Sequence, residues 1–224
     1  MDAPPIASLS ALIGDPARAL MLSALMDGRA RTASELADRA GITRQTASAH
    51  LAKLTDGGLL SLERQGRHRY FQLRCEEVAS VLESLMVLGH QLPRGGREPH
   101  SPERCARTCY DHLAGRLGVE LLESLSERGH LETRTAQLSL SSSGEDLFER
   151  LGIDWRGLQC GRRNYARLCL DWSERRHHLA GALGAALLHH FLDSDWIRRQ
   201  ADSRAVVLTG KGRKALGHWF DLPL

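Results

Sequence analysis

The 224-residue chain has 42% hydrophobic and 25% charged residues, the balance of a globular protein with a sizeable core, and a formal net charge of only +3. No apolar run approaches the roughly 20 residues that span a bilayer, and the opening MDAPPIASLS lacks a basic-then-apolar leader, so a cytoplasmic protein without a membrane partner is expected. Five cysteines (Cys75, Cys105, Cys109, Cys160, Cys169) are too few and too irregular for a secreted disulfide framework; free thiols, metal ligands or redox switches are expected.

In chain order, Asp15-Pro16 reads as an N-cap followed by proline at the first helical position, with Ala19, Leu22 and Met26 on one face and Gly28 as the stop. Thr32-Ala33-Ser34-Glu35 fits a capping box, backed by Leu36, Ala37 and Ala40 and ended by Gly41. After a two-residue turn, Thr43 caps a helix that runs to about Asp56 and stops at Gly57-Gly58. Residues 59–64 and 67–73 are expected as two short strands turning at Gln65-Gly66. Helix, capped helix, tight turn, helix and hairpin is the order of a winged helix-turn-helix.

Residues 74–92 read as an apolar-rich helix carrying Val78, Val81, Leu82, Leu85 and Leu88. The proline, glycine and charge of Leu92-Pro93-Arg94-Gly95-Gly96-Arg97-Glu98-Pro99 then mark a linker. The expected organisation is a winged helix-turn-helix domain at 1–92, a linker at 93–100 and an α-rich domain at 101–224.

The last domain echoes itself. Arg107-Thr108-Cys109-Tyr110-Asp111 matches Arg167-Leu168-Cys169-Leu170-Asp171. His112-Leu113-Ala114-Gly115-Arg116-Leu117-Gly118 matches His178-Leu179-Ala180-Gly181-Ala182-Leu183-Gly184, and Leu140 to Gly144 matches Leu208 to Gly212. Each copy reads as a helix, an irregular segment, a short strand and a Ser/Thr-capped helix. The fold class expected is mainly α with small β-hairpins: a winged helix-turn-helix followed by an α-rich domain, read as a duplicated winged-helix-like unit.

The positive charge is local. Residues 43–74 hold Arg44, Lys53, Arg64, Arg67, Arg69 and Arg74 against Asp56 and Glu63 alone, which points to a polyanion at this motif. In the helix after Thr43, Ala47, Leu51 and Leu54 share one face and should pack inward. The opposite face presents Arg44, Gln45, Ser48, Ala49 and Lys53, and arginine and glutamine have the donor geometry to read base edges in a major groove. Thr43, Thr46 and His50 flank that face within reach of phosphates, and the hairpin tip adds Arg64, Arg67, His68 and Arg69 beside the duplex.

Gly14-Asp15-Pro16-Ala17-Arg18, Ile42 to Leu54 with Gly58-Leu59-Leu60, and the tail Arg64 to Leu73 resemble the ArsR/SmtB family of winged-helix repressors over about residues 10–90. The resemblance implies a homodimer on a palindromic double-stranded operator, released by an effector. It implies dimer contacts from the segments that flank the reading unit, here about 5–13 and 76–92.

The chain departs from the family's metal sites. The helix at 32–41 has no cysteine, and Cys75, Glu76, Glu77 and His90 lack the paired spacing of the family's zinc site. A separate thiol site is expected from Ser101-Pro102-Glu103, read as a helix start that would set Cys105, Cys109 and His112 in one row. With Cys169, and less readily Cys160, that row is a candidate for a thiophilic metal ion or arsenite, and Cys105 near the helix start for reaction with oxidants. The matching positions of Cys109 and Cys169 equally suit a packing role. His178 and His189, read as lying on one helix, stand too far apart to share an ion. Trp155, Tyr165, Trp172 and Trp196 are a candidate lining for an organic effector. Walker, GxGxxG, GxSxG and HExxH motifs are missing, so no enzyme is expected. The alternatives are a DNA-binding protein without an effector and a winged helix fused to an unrecognised catalytic domain.

Overall fold

The structure, a computed structural model, describes residues 5–92, 101–134, 137–161 and 163–223. The expected linker at 93–100 lies outside the described residues. By internal contacts the chain divides into two compact units, Met1–Leu82 and Glu83–Leu224.

The first unit contains α1 (Pro5–Ile13), α2 (Pro16–Leu25), β1 (Arg31–Thr32), α3 (Ala33–Ala40), α4 (Arg44–Asp56), β2 (Leu60–Gln65) and β3 (His68–Leu73), and α5 (Glu76–Gln91) starts in it. Each helix boundary has a local cause. Asp15 accepts the Arg18 N–H at 3.0 Å ahead of Pro16. Thr32 and Glu35 close a capping box, and Gly41 ends α3 with φ at +64°. Thr43 caps α4 through the Thr46 N–H. The fully buried Met21, Leu22, Leu36, Ala47, Leu51 and Leu54 form the helical core. Arg18 is buried too: it donates to the carbonyls of Leu12 and Ala11 at 2.6 and 2.7 Å, satisfying the open end of α1. The hairpin turns at Gly66-Arg67, one residue beyond the expected turn, with Gly66 at φ +60°. The two-residue strand β1, not expected from the sequence, pairs with β3 to give the sheet order β1-β3-β2.

The second unit opens with α6 (Pro102–Cys105) and repeats one motif twice. The first copy is β4 (Arg107–Cys109), β5 (His112–Ala114), α7 (Gly115–Glu127), β6 (Leu131–Arg134), β7 (Gln137–Leu140) and α8 (Ser142–Arg150). After α9 (Trp155–Gln159) come β8 (Arg167–Leu170), β9 (His177–Ala180), α10 (Gly181–Asp193), β10 (Ile197–Arg199), β11 (Val206–Leu208) and α11 (Gly210–Phe220). Each copy is therefore hairpin, helix, hairpin, helix, and Ser141 and Thr209 cap the two closing helices. The copies interlock: α7 packs on β9 of the second copy and α10 on β5 of the first. A Cβ on Gly118 or Gly184 would run into the carbonyl of Leu113 or Leu179, so glycine lets each helix lie directly on its hairpin.

The helix expected to start at Ser101-Pro102-Glu103 and carry Cys105, Cys109 and His112 in one row does not form over that length. It stops after four residues at Cys105, and Ala106 is extended at φ −157° and ψ 131°. Non-local bonds win here: the Val206 N–H donates to the Ala106 carbonyl at 3.0 Å and the Thr108 N–H to that of Arg204 at 2.9 Å.

Arg107 is fully buried and donates to Glu83 at 3.0 Å and Asp171 at 2.9 Å, with Trp172 stacked 4.6 Å from its guanidinium. Replacing it with methionine removes the cation that two buried carboxylates share, so Arg107→Met should destabilise the second unit by about 3–5 kcal/mol. All four tryptophans lie in this unit, so urea unfolding followed by tryptophan fluorescence reads it alone. A loss below about 1 kcal/mol would show that water reaches this network.

Candidate nucleic-acid interface and candidate metal centre

Because Ala47, Leu51 and Leu54 are fully buried, α4 must show its other face: Thr43, Arg44, Gln45, Thr46, Ser48, Ala49 and Lys53 are all exposed. The Ser48 hydroxyl donates back to the Arg44 carbonyl at 2.9 Å, and Thr43 and Thr46 share a hydroxyl contact at 2.9 Å. The long side chains Arg44, Gln45 and Lys53 are the ones with reach. His50 differs from the expectation of a phosphate contact. Its Nδ1 lies 3.1 Å from the Arg18 guanidinium and its Nε2 4.0 Å from Asp15, so its ring joins α2 to α4.

Arg64, Arg67, His68 and Arg69 are exposed at the wing. Arg64 stands directly opposite Arg69 across the β2–β3 ladder. Two cations at a cross-strand pair repel each other, and a polyanion laid along the hairpin turns that cost into attraction.

The second unit holds a cluster of another kind. Cys109 faces His112 across β4–β5, and Cys169 faces His178 across β8–β9. The interlocked copies bring the two hairpins face to face, and one potential ligand atom from each of the four residues falls within 4.8 Å of the others. All four side chains are buried. The two imidazole Nε2 atoms are 3.2 Å apart, with ring centroids at 5.1 Å. Behind each ring stands a carboxylate: Asp111 lies 3.2 Å from His112 Nδ1, and Asp171 lies 3.7 Å from His178 Nδ1.

Those carboxylates are ionised. Burial pushes Asp111 upward, but His112 and a two-pronged ion pair with Arg163 hold it at about 2. Asp171, also opposed by burial, is held at about 2 by Arg107, by Ser173 and by the Gly115 N–H at 2.7 Å. The hydrogen bond between the thiols splits them: Cys109 rises, with burial adding, and Cys169 falls, aided by both histidines.

Of the residues expected as a thiol site, Cys109, His112 and Cys169 come together and Cys105 does not. Cys105 is exposed at the end of α6, 4.0 Å from Arg116, because the chain turns into β4 instead of continuing the helix. Cys160 is exposed as well. His178, read from the sequence as a helix-surface residue, lies on β9 directly opposite Cys169 and completes the group. The repeat itself carried the signal, since it aligns Cys109 with Cys169 and His112 with His178. The aromatic lining expected for an organic ligand does not form. Trp155 and Trp196 are core residues, Trp172 stacks on His90 at 4.1 Å, and the groove beside Tyr165 is lined by Leu138, Glu145, Gln159 and Asn164 but no tryptophan.

A family model described as a helix-turn-helix domain matches residues 13–63. The chain is 44% identical over 215 residues to an uncharacterized HTH-type transcriptional regulator, YdfF of Bacillus subtilis (strain 168), covering 95% of each chain. It belongs to the same family of helix-turn-helix transcriptional regulators, and its winged helix is the DNA-binding element. Among solved structures, the homodimeric winged helix-turn-helix DNA-binding domain of Mb0332 from Mycobacterium bovis, a possible ArsR-family transcriptional regulator, matches at 26% identity and TM-score 0.38, over 43% of this chain and 88% of that one. The cadmium metal-sensor CMTR of Mycobacterium tuberculosis matches at 32% identity and TM-score 0.33, over 44% and 99%. No described helix is long and apolar enough to cross a membrane.

Proposed function

We propose that the protein is a homodimeric repressor that reads a palindromic operator and is released when its second unit takes up an effector. The observation that carries the operator reading is the exposed Arg44–Gln45–Lys53 face of α4 beside a wing tipped by Arg64, Arg67 and Arg69. Arg44 and Gln45 sit in the first turn of α4, the end that meets base edges when a recognition helix enters the major groove. The wing cations act on the sugar-phosphate backbone and set register, not sequence.

Homodimerisation is supported by α5. Val81, Leu85 and Leu88 follow i, i+4, i+7 spacing and are 44%, 43% and 53% exposed, an apolar stripe that favours burial against a second copy. Ile6 on α1, 70% exposed, adds to the segments that the ArsR/SmtB resemblance implies for the dimer contact. A two-fold pair would present its reading helices to successive major grooves ~34–36 Å apart. The effector reading rests on the Cys109–His112–Cys169–His178 cluster, four buried side chains that each bring a potential metal-ligating atom within 4.8 Å of the others.

Operator titrations at several salt concentrations test the interface. Gln45→Ala should lose about 1–3 kcal/mol of discrimination at one base pair of each half-site. Arg67→Ala should weaken binding to all sequences and lower the salt slope by about one unit. Unchanged affinity and slope in both variants would move the reading surface elsewhere. In sedimentation, Leu85→Glu should shift the chain from dimer to monomer and weaken operator binding with it. A dimer undisturbed by that change would place the interface off α5.

A further inference from the structure

Four electron-pair donors converge in the core of the second unit. The two Nε2 atoms face each other across 3.2 Å, and one potential ligand atom of each of the four residues lies within 4.8 Å of the others; a proton kept on each Nδ1, on the side of Asp111 and Asp171, leaves both Nε2 lone pairs free to ligate. Uncompensated, that arrangement is costly in a dry interior. One small cation at the centre satisfies all four donors together.

We propose that Cys109, His112, Cys169 and His178 bind one zinc-type divalent ion as a closed tetrahedral Cys2His2 centre that ties the two repeats together. The proposal deepens the effector reading above and rests on it only for the link to DNA.

Bond lengths of ~2.3 Å to sulfur and ~2.0–2.1 Å to nitrogen give tetrahedral edges of about 3.3–3.8 Å, close to the spacing found here. The observed donors lie within 4.8 Å of one another, with the nitrogens at 3.2 Å, so small side-chain shifts complete the geometry. Charge selects the ion. Two thiolates and a dication sum to neutrality, and the flanking carboxylates are already neutralised by Arg163 and Arg107. A monovalent soft ion would leave a buried negative charge. Arsenic(III), which favours three sulfurs, finds only two. Four protein ligands leave no open position, so the centre holds the ion and does not activate water.

The surroundings fix the donors. Ideal Cβ atoms on Gly184 and Gly118 would sit 3.2 and 3.5 Å from the Cβ atoms of His112 and His178, so α10 and α7 lie close over the two histidines. Each repeat supplies one cysteine and one histidine, so neither forms the centre alone. Binding energy at such a centre is folding energy for the unit.

The test uses the full-length reduced chain, stripped with a chelator and titrated with Co(II). Tetrahedral d–d bands and a thiolate-to-cobalt charge-transfer band should grow to one ion per chain and vanish on adding Zn(II). Cys169→Ser and His178→Asn should abolish those bands, whereas Cys105→Ser and Cys160→Ser should keep them. Circular dichroism reports whether each variant folds, and should the ligand variants unfold, the wild-type titration decides. No saturable binding, binding without the thiolate band, or loss of the band in Cys105→Ser would overturn the assignment. Operator affinity of stripped and Zn(II)-loaded protein separates the two readings: a changed affinity makes the ion the effector. An unchanged affinity with the cobalt spectrum intact upholds the centre and overturns only its role as the signal.

Discussion

A carboxylate removed from water must find a donor for each lone pair, and in the second unit Asp171 meets that demand by gathering the fold around itself. It accepts from Arg107 of β4, from the N–H of Gly115 where α7 begins, and from the N–H groups of Ser173 and Glu174 in its own loop. These donors come from both repeats. The charge costs several kcal/mol to bury in isolation, and only their simultaneous arrival offsets that cost. The position of β8–β9 against the first repeat follows from it, and with it the meeting of the two Cys–His pairs.

The first unit is organised by a different constraint, the separation of faces on α4. Three fully buried apolar residues fix the helix's rotation and leave polar and cationic residues outward. Arg18 and His50 tighten that orientation from behind by tying α1, α2 and α4 through hydrogen bonds. A reading helix held on a rigid scaffold loses little conformational freedom on docking, which is where affinity is commonly lost.

Most of the first unit was legible because its determinants are local. Thr32 and Glu35, Thr43, Gly41 and Gly66 act within a few residues of themselves, and helices and hairpin follow with shifts of one or two positions. The second unit was legible as a duplication but not as geometry. Three-residue strands such as β4 and β5 carry no periodicity to read, and their pairing depends on partners near residue 205. Proline and glutamate at 102 and 103 do start a helix, yet nothing local announces its end at Cys105. His178 and His189 do not share a helix, since His178 lies on β9 and His189 on α10; the informative counterpart of His178 is its repeat equivalent, His112.

The exchange of helices between repeats has a consequence for biosynthesis. As the chain leaves the ribosome, the first repeat emerges with β5 uncovered, since its lid is α10, and α7 has no hairpin of the second copy to rest on. Closure therefore waits for residues near 190 and depends on contacts between segments far apart in the chain, the condition that slows folding. Until then the Cys109 thiol is open to oxidants and stray metals, and completion of the second repeat ends that exposure.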